Sequence, residues 1–342
     1  MRFRPKPPLL RSGVVFLVWW NLTCGLAAPA TRLTETPASS AAADDFVPTK
    51  ATIDRADFTT HAFVLRDQAL LAYYVRPGTG PTLVLSPGTH GDRSTYFTDE
   101  FLSSLDARFG VVIIETRGQG RSWPPPTTAQ ATIESYAADV IEVARYLKLT
   151  NWYVSGHSLG GMTAIEIAGR KPAGLRGVIT LEGWVHFRAT QLAFSGLPAA
   201  TQEQNAEGRR QREARRISQR WTPEENALLT GMWRIWDHGE AIMRETALPF
   251  LTLWGDRDLA VRPGREKLLL PDRPNVQVGW IAGSGHYITA PRHAGDVAAR
   301  INRFIHEVEN ATTRKSGDSS RSQHGIRVSS DFQTCAGFSN LN

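Results

Sequence analysis

Residues 154–161 read Val154-Ser155-Gly156-His157-Ser158-Leu159-Gly160-Gly161, and Gly156 to Gly160 form the pattern G-x-S-x-G. Context gives the pattern its meaning. A strand-like run, Trp152-Tyr153-Val154, comes directly before it. A helix-capable run, Met162-Thr163-Ala164-Ile165-Glu166-Ile167-Ala168, comes directly after. A serine on so tight a strand-to-helix turn is held out of the sheet on strained backbone, with glycines where side chains would collide. Ser158 is therefore the candidate nucleophile. A glycine-rich turn holding an ordinary serine would share the five-residue pattern, but not the ordered strand, turn and helix.

Outward from this point the chain alternates. Thr82-Leu83-Val84-Leu85 and Val111-Val112-Ile113-Ile114 read as buried strands, as do Gly177-Val178-Ile179-Thr180-Leu181, Phe250-Leu251-Thr252-Leu253-Trp254 and Val276 to Ile281. Between them Phe97, Phe101, Leu102 and Leu105 recur at helical spacing, and so do Tyr136, Val140, Val143, Ala144 and Leu147. Strands alternating with helices predict an α/β fold with a mostly parallel sheet covered on both faces. Residues 58–75, broken near Arg66-Asp67, predict an antiparallel hairpin at its start. Residues 185–247 interrupt the alternation without a convincing strand and predict a helical cap. Its helices are expected over 201–221 and 223–245, the second opening on the capping sequence Thr222-Pro223-Glu224-Glu225. Arg209, Arg210, Arg212, Arg215, Arg216 and Arg220 cluster in the first. They could attract an anion to the rim, but a solvated helix face is the simpler reading.

A serine hydroxyl needs a base, usually a histidine oriented by a carboxylate. His286, in Gly283-Ser284-Gly285-His286-Tyr287, follows the last strand on a glycine-rich loop and is the candidate base. His293 and His306 fall in the final helix, expected over 294–308, and read as surface residues. Three carboxylates are candidates to orient the imidazole. Asp256 and Asp258 follow the Trp254 strand in Trp254-Gly255-Asp256-Arg257-Asp258, and Glu182 follows the strand after the elbow. Asp256 could instead brace its loop. The oxyanion needs two backbone donors. The amide of Leu159, directly after the nucleophile, and that of Thr89, in the Pro87-Gly88-Thr89 turn, are the candidates; His90 reads as a loop residue near the pocket mouth.

With these segments in place, the chain resembles the α/β-hydrolase superfamily over about residues 55–308. The resemblance rests on Pro87-Gly88-Thr89, the loop Arg117-Gly118-Gln119-Gly120-Arg121-Ser122, Gly156 to Gly161, Gly255-Asp256-Arg257-Asp258, and Gly285-His286. It implies the α/β-hydrolase fold with a small cap, and a catalytic set of Ser158, Asp258 and His286, since the family's G-x-x-D loop carries its acid on the fourth residue. Glu182 is the alternative acid: zearalenone lactonases, capped members of the family, look as though they take theirs 24 positions after the nucleophile. Pro87 replaces the usual histidine, and Glu115 the usual aspartate. The resemblance implies a serine hydrolase cleaving a carboxylic ester or lactone of a small apolar molecule through an acyl-enzyme, with no metal or organic cofactor. The same triad also serves carbon–carbon and amide bond hydrolysis, and a non-hydrolytic ligand-binding member would share the fold. A serine nucleophile argues against haloalkane dehalogenases and epoxide hydrolases. Trp184, Phe187, Leu192, Phe194, Trp233 and Trp236 either line an acyl pocket or pack the cap on the sheet.

Composition sets outer bounds. Of 342 residues 41% are hydrophobic, enough for a sizeable core. The formal charge of +6 owes much to Arg2, Arg4, Lys6 and Arg11; without them 35 basic residues face 33 acidic ones. Such balance gives no reason to expect nucleic acid or a stable membrane partner; a small-molecule substrate is what the resemblance implies. Basic residues, the apolar run Val14 to Trp20 and Ala28-Pro29-Ala30 predict a cleaved signal peptide over 1–30 and hence a secreted or luminal protein. Cys24 would leave with it, and Cys335 would remain alone. Residues 31–50 read as a linker, 51–310 as the α/β-hydrolase domain, and 311–342 as a disordered tail. Asn310-Ala311-Thr312 is a glycosylation sequon.

Overall fold

A computed structural model describes residues 55–89, 96–186, 222–258, 263–264, 266 and 270–323. All belong to the second of two compact units, Ser40–Asn342. The expected signal segment and linker, His90, the first cap helix with its arginine cluster, and Phe187, Leu192 and Phe194 lie outside the described residues. So do the side chain of Trp233 and positions 324–342.

Eight strands form one sheet in the order β1-β2-β4-β3-β5-β6-β7-β8. They are β1 (Thr59–Val64), β2 (Leu70–Arg76), β3 (Thr82–Ser86), β4 (Gly110–Ile114), β5 (Trp152–His157), β6 (Leu175–Leu181), β7 (Phe250–Gly255) and β8 (Val276–Ile281). β1 and β2 form the expected hairpin and pair antiparallel to each other; β2 is also antiparallel to β4, and every other pairing is parallel. Strand side chains alternate between two faces. Val84, Val112, Val154, Val178, Phe250 and Trp254 enter one core. Leu83, Leu85, Ile113, Tyr153, Ile179, Leu251 and Leu253 enter the other. The central strands are thus apolar at nearly every position because both sides are covered.

Helices α1 (Asp99–Ser104) and α6 (Pro291–Gln323) pack together and cover the second core, while α2 (Ile133–Tyr146) and α3 (Leu159–Gly169) cover the first. Each of α1 and α2 starts on a threonine, Thr98 or Thr132, whose side chain accepts the backbone N–H three residues on. Between β4 and α2, Arg117 donates to both oxygens of Asp139 at 2.8 and 3.1 Å and also pairs with Asp67. Glu115, almost fully buried, accepts the Arg121 amide at 2.6 Å. The family-like loop from 117 to 122 therefore folds around a carboxylate one methylene longer than aspartate.

Two expectations change. The helix predicted over 223–245 is two helices, α4 (Pro223–Ile235) and α5 (Gly239–Glu245). The capping box at Thr222 and Glu225 forms, but the chain breaks at Trp236, which takes extended backbone. The break lets Trp236 Nε1 and His238 Nε2 both reach Glu166 on α3, at 3.2 and 2.9 Å. The final helix spans Pro291–Gln323, beyond the 294–308 expected for it. Thr312 and Thr313 donate their hydroxyls to the Val308 and Glu309 carbonyls. The Asn310 sequon accordingly lies inside a helix. Among the described residues no helix is long and apolar enough to cross a membrane.

Candidate active site

Parallel strands deliver their carboxyl ends to one rim, where open α/β sheets gather their functional loops. β3 leads to Thr89, β5 to Ser158, β6 to Glu182, β7 to Asp258 and β8 to His286. The register aligns these ends: Ser86 sits opposite Gly156, His157 opposite Leu181, Leu181 opposite Leu253, and Gly255 opposite Ile281.

Ser158 is half-buried and caps α3 with φ +53° and ψ −114°. A side-chain-bearing residue at positive φ is strained, and the surroundings fix it there. Its N–H donates to Leu181 O at 2.8 Å, and its carbonyl accepts from Gly161 at 2.9 Å. The turn is too tight for side chains at its glycines. A Cβ at Gly156 would stand 1.9 Å from the Gly160 carbonyl oxygen, and one at Gly160 would stand 2.1 Å from Ser86 O.

Asp258 is buried, and its Oδ2 lies 2.6 Å from His286 Nδ1. A carboxylate on Nδ1 fixes the tautomer and leaves Nε2 free to work as a base. Of the three carboxylates weighed from the sequence, Asp258 is the one bonded to the imidazole. Asp256 Oδ1 accepts the Gly283 amide at 2.8 Å and braces the loop leading to His286. Glu182 is fully buried at φ +55°, with a carboxyl oxygen within 4.8 Å of Asp258 and of the His286 ring nitrogen. Among the described residues the Ser158 hydroxyl makes no hydrogen bond to His286; such bonds tighten once substrate is bound.

Two residues that the sequence reading passed over hold the rim together. His157, the second residue of the elbow pattern, is completely buried and donates from Nε2 to His286 O at 2.6 Å. Its ring meets those of Tyr96 at 4.6 Å, His286 at 5.0 Å and Tyr287 at 5.9 Å. Burial, helped by the neighbouring His286, pushes the His157 imidazole down to about 3, so it is neutral. Tyr96 is the second. Its hydroxyl donates to Thr89 O at 2.6 Å, its ring packs on Gly88, and its carbonyl accepts the Thr289 hydroxyl. It thereby ties the Pro87-Gly88-Thr89 turn to the loop carrying His286. The x position of G-x-S-x-G was the available signal for His157. Tyr96 carries no local signature in the sequence.

The Leu159 amide begins α3 and is among the N–H groups for which a helix has no internal acceptor, as an oxyanion donor must be. Thr89, half-buried, has its carbonyl turned to Tyr96. Trp184 is buried with its ring 6.5 Å from that of His286, whereas Trp236 is buried on Glu166 and serves cap packing. Of the two histidines expected in the final helix, His306 bonds Asp106 at 2.9 Å and packs against Phe109, so it is tied to the body rather than free on the surface. A second convergence, Glu134, Glu166 and His238, lies at the foot of the cap. There Arg170 already donates to Glu166 at 3.1 Å and would repel a metal ion.

Comparison with known proteins agrees with this architecture. Residues 81–220 match the family model described as the alpha/beta hydrolase fold. RutD of Agrobacterium fabrum, assigned provisionally as a carbamate hydrolase, is 32% identical over 104 residues, 30% of this chain and 39% of its own. The sn-1-specific diacylglycerol lipase ABHD11 of Xenopus laevis is 30% identical over 167 residues, 47% of this chain and 51% of its own. The chain thus spans about two fifths to one half of the length of these relatives. A thermophilic esterase from Thermogutta terrifontis superposes with a TM-score of 0.54 at 20% identity, covering 73% of this chain and 99% of that one, a likeness of fold alone.

Proposed function

This chain is a member of the α/β-hydrolase superfamily, and from that premise we propose that it is a serine hydrolase acting on a carboxylic ester or lactone of a small apolar molecule. Ser158 attacks the carbonyl carbon while His286 Nε2 takes its proton. The tetrahedral oxyanion is held by the Leu159 and Thr89 amides. Its collapse expels the alcohol, which receives the proton from His286. Water activated by the same imidazole then releases the acid and restores the serine. Asp258 fixes the ring and stabilises its transient charge.

The observation that carries this reading is the 2.6 Å bond from Asp258 to a histidine whose loop is held against the residue preceding Ser158. The names of the two curated relatives, a carbamate hydrolase and a diacylglycerol lipase, both describe attack on a carbonyl with a heteroatom leaving group, which supports acyl transfer. Trp184 beside His286 supports an apolar acyl group.

The test is covalent labelling of the purified protein with a fluorophosphonate, followed by turnover of p-nitrophenyl esters of increasing chain length. Labelling of wild type and its loss in Ser158→Ala are expected. Undiminished labelling of the variant, or tight ligand binding with no turnover of any ester, would overturn the reading.

A further inference from the structure

Two carboxyl groups meet at this site, and the reaction above uses one. Glu182 follows β6, and its backbone is held in the left-handed region at φ +55°, its N–H donating to Leu253 O at 2.9 Å. That turn drives the side chain inward to complete burial. One carboxyl oxygen, Oε1, accepts the Gly255 amide. The other, Oε2, is buried and has no hydrogen-bond partner so long as both acids are taken as acceptors. Yet oxygens of Glu182 and Asp258 and a ring nitrogen of His286 all lie within 4.8 Å of one another. Two carboxylates packed this closely in a buried site repel each other unless one carries a proton. Asp258 already accepts from His286 Nδ1 and needs its charge for that task, so the proton belongs on Glu182.

We propose that Glu182 is a positioning residue held as a neutral acid, whose Oε2 hydroxyl donates to Asp258 and so fixes that carboxylate and moderates its pull on His286. The inference rests on the hydrolase reading for its kinetic consequences, not for its chemistry. Burial and the adjacent Asp258 charge both favour the protonated form, against the weaker opposing effect of the Gly255 amide. Among the described residues, the titratable groups clustered with Glu182 are Asp258 and His286. The arrangement also explains why carboxylates follow both strands: they act in series, Glu182 on Asp258 and Asp258 on the imidazole.

The full chain and its Glu182→Gln and Glu182→Leu variants provide the test. Glutamine can reproduce both contacts, its carbonyl accepting from Gly255 and its amide donating to Asp258; leucine can make neither. Infrared spectra of protein with isotope-labelled glutamate should show a carboxylic-acid C=O band at neutral pH that Glu182→Gln removes. Glu182→Gln should keep kcat/KM and its acidic limb close to wild type. Glu182→Leu should lower kcat about tenfold or more, with the acidic limb shifted upward because Asp258 then presents undivided charge to His286. Absence of the band at neutral pH, or equal damage from glutamine and leucine, would overturn the proposal. A loss of stability in Glu182→Leu with an unmoved limb would reduce Glu182 to packing and overturn it as well. NMR titration of the His286 ring reads the same shift without turnover. If Ser158 never reacts, the hydrolase reading falls while the band and the ring titration still decide the role of Glu182.

Discussion

The ring of His157 donates through Nε2 to the carbonyl oxygen of His286 across 2.6 Å, joining the residue before the candidate nucleophile to the residue that would deprotonate it. A carbonyl only accepts, so the proton must sit on Nε2, and burial keeps the ring neutral. The spacing of base and nucleophile is therefore set by a side chain of the elbow itself. His157→Leu removes the donor and keeps much of the volume. We expect kcat to fall by roughly tenfold to a hundredfold with KM little changed, since a displacement of about an ångström at a reacting group costs that much. Steady-state kinetics on a p-nitrophenyl ester check this; an unchanged kcat would refute it.

The same ring makes stability depend on pH. His157 is held down to about 3 in the folded chain but titrates near its ordinary value when unfolded. Between those values the unfolded state binds the extra proton. Its contribution is complete above the unfolded pKa and is lost as pH falls toward 3, at about 1.4 kcal/mol per pH unit. Urea midpoints from neutral to mildly acidic pH should decline in wild type and decline less steeply in His157→Leu.

Asp258→Asn should preserve the fold and cripple the base. Asparagine can present its amide to Nδ1 and favour the wrong tautomer, and it carries no charge to stabilise the imidazolium. Loss of kcat by about 10⁴-fold is expected, the scale seen when a Ser-His-Asp set loses its carboxylate. Single-digit loss would point to Glu182 as the working acid instead.

Away from the site, Arg117 neutralises the buried Asp139, whose carboxyl burial nevertheless raises to about 6. Arg117→Met leaves that acid without its cation. We expect destabilisation of about 3–5 kcal/mol at neutral pH, shrinking as the medium is acidified and the unfolded acid also protonates. Chemical denaturation at two pH values measures it.

Gly160→Ala tests the elbow. The added methyl would sit 2.1 Å from the backbone oxygen of Ser86, an atom fixed in β3 and unable to retreat like a flexible side chain. Soluble expression or the thermal midpoint should fall sharply, while Gly231→Ala, on a helix with nothing within 4 Å of the new atom, should not destabilise.

The sheet was readable because its residues obey a local rule. Val84, Val112 and Val154 belong to strands so apolar that only burial on both faces accounts for them, and every predicted strand is present. Ser158, Asp258 and His286 could be proposed because strand ends and glycine-rich loops mark them. Asp258 could not be separated from Glu182 by spacing alone, since both follow strands that end on one rim. His157 and Tyr96 were not legible for another reason. Their roles depend on contacts across 129 positions, from His157 to His286, and across 193, from Thr289 to Tyr96. The break at Trp236 was hidden similarly: 223–245 is a good helix until Glu166, on a different element, takes two of its side chains.

Acids on the ends of both β6 and β7 carry a historical consequence. Where two such groups share one neighbourhood, a descendant that loses the working acid still holds a second one on the adjacent strand, lacking only the bond to the imidazole. A scaffold of this kind moves its charge from one strand to the next by re-aiming a side chain it already owns.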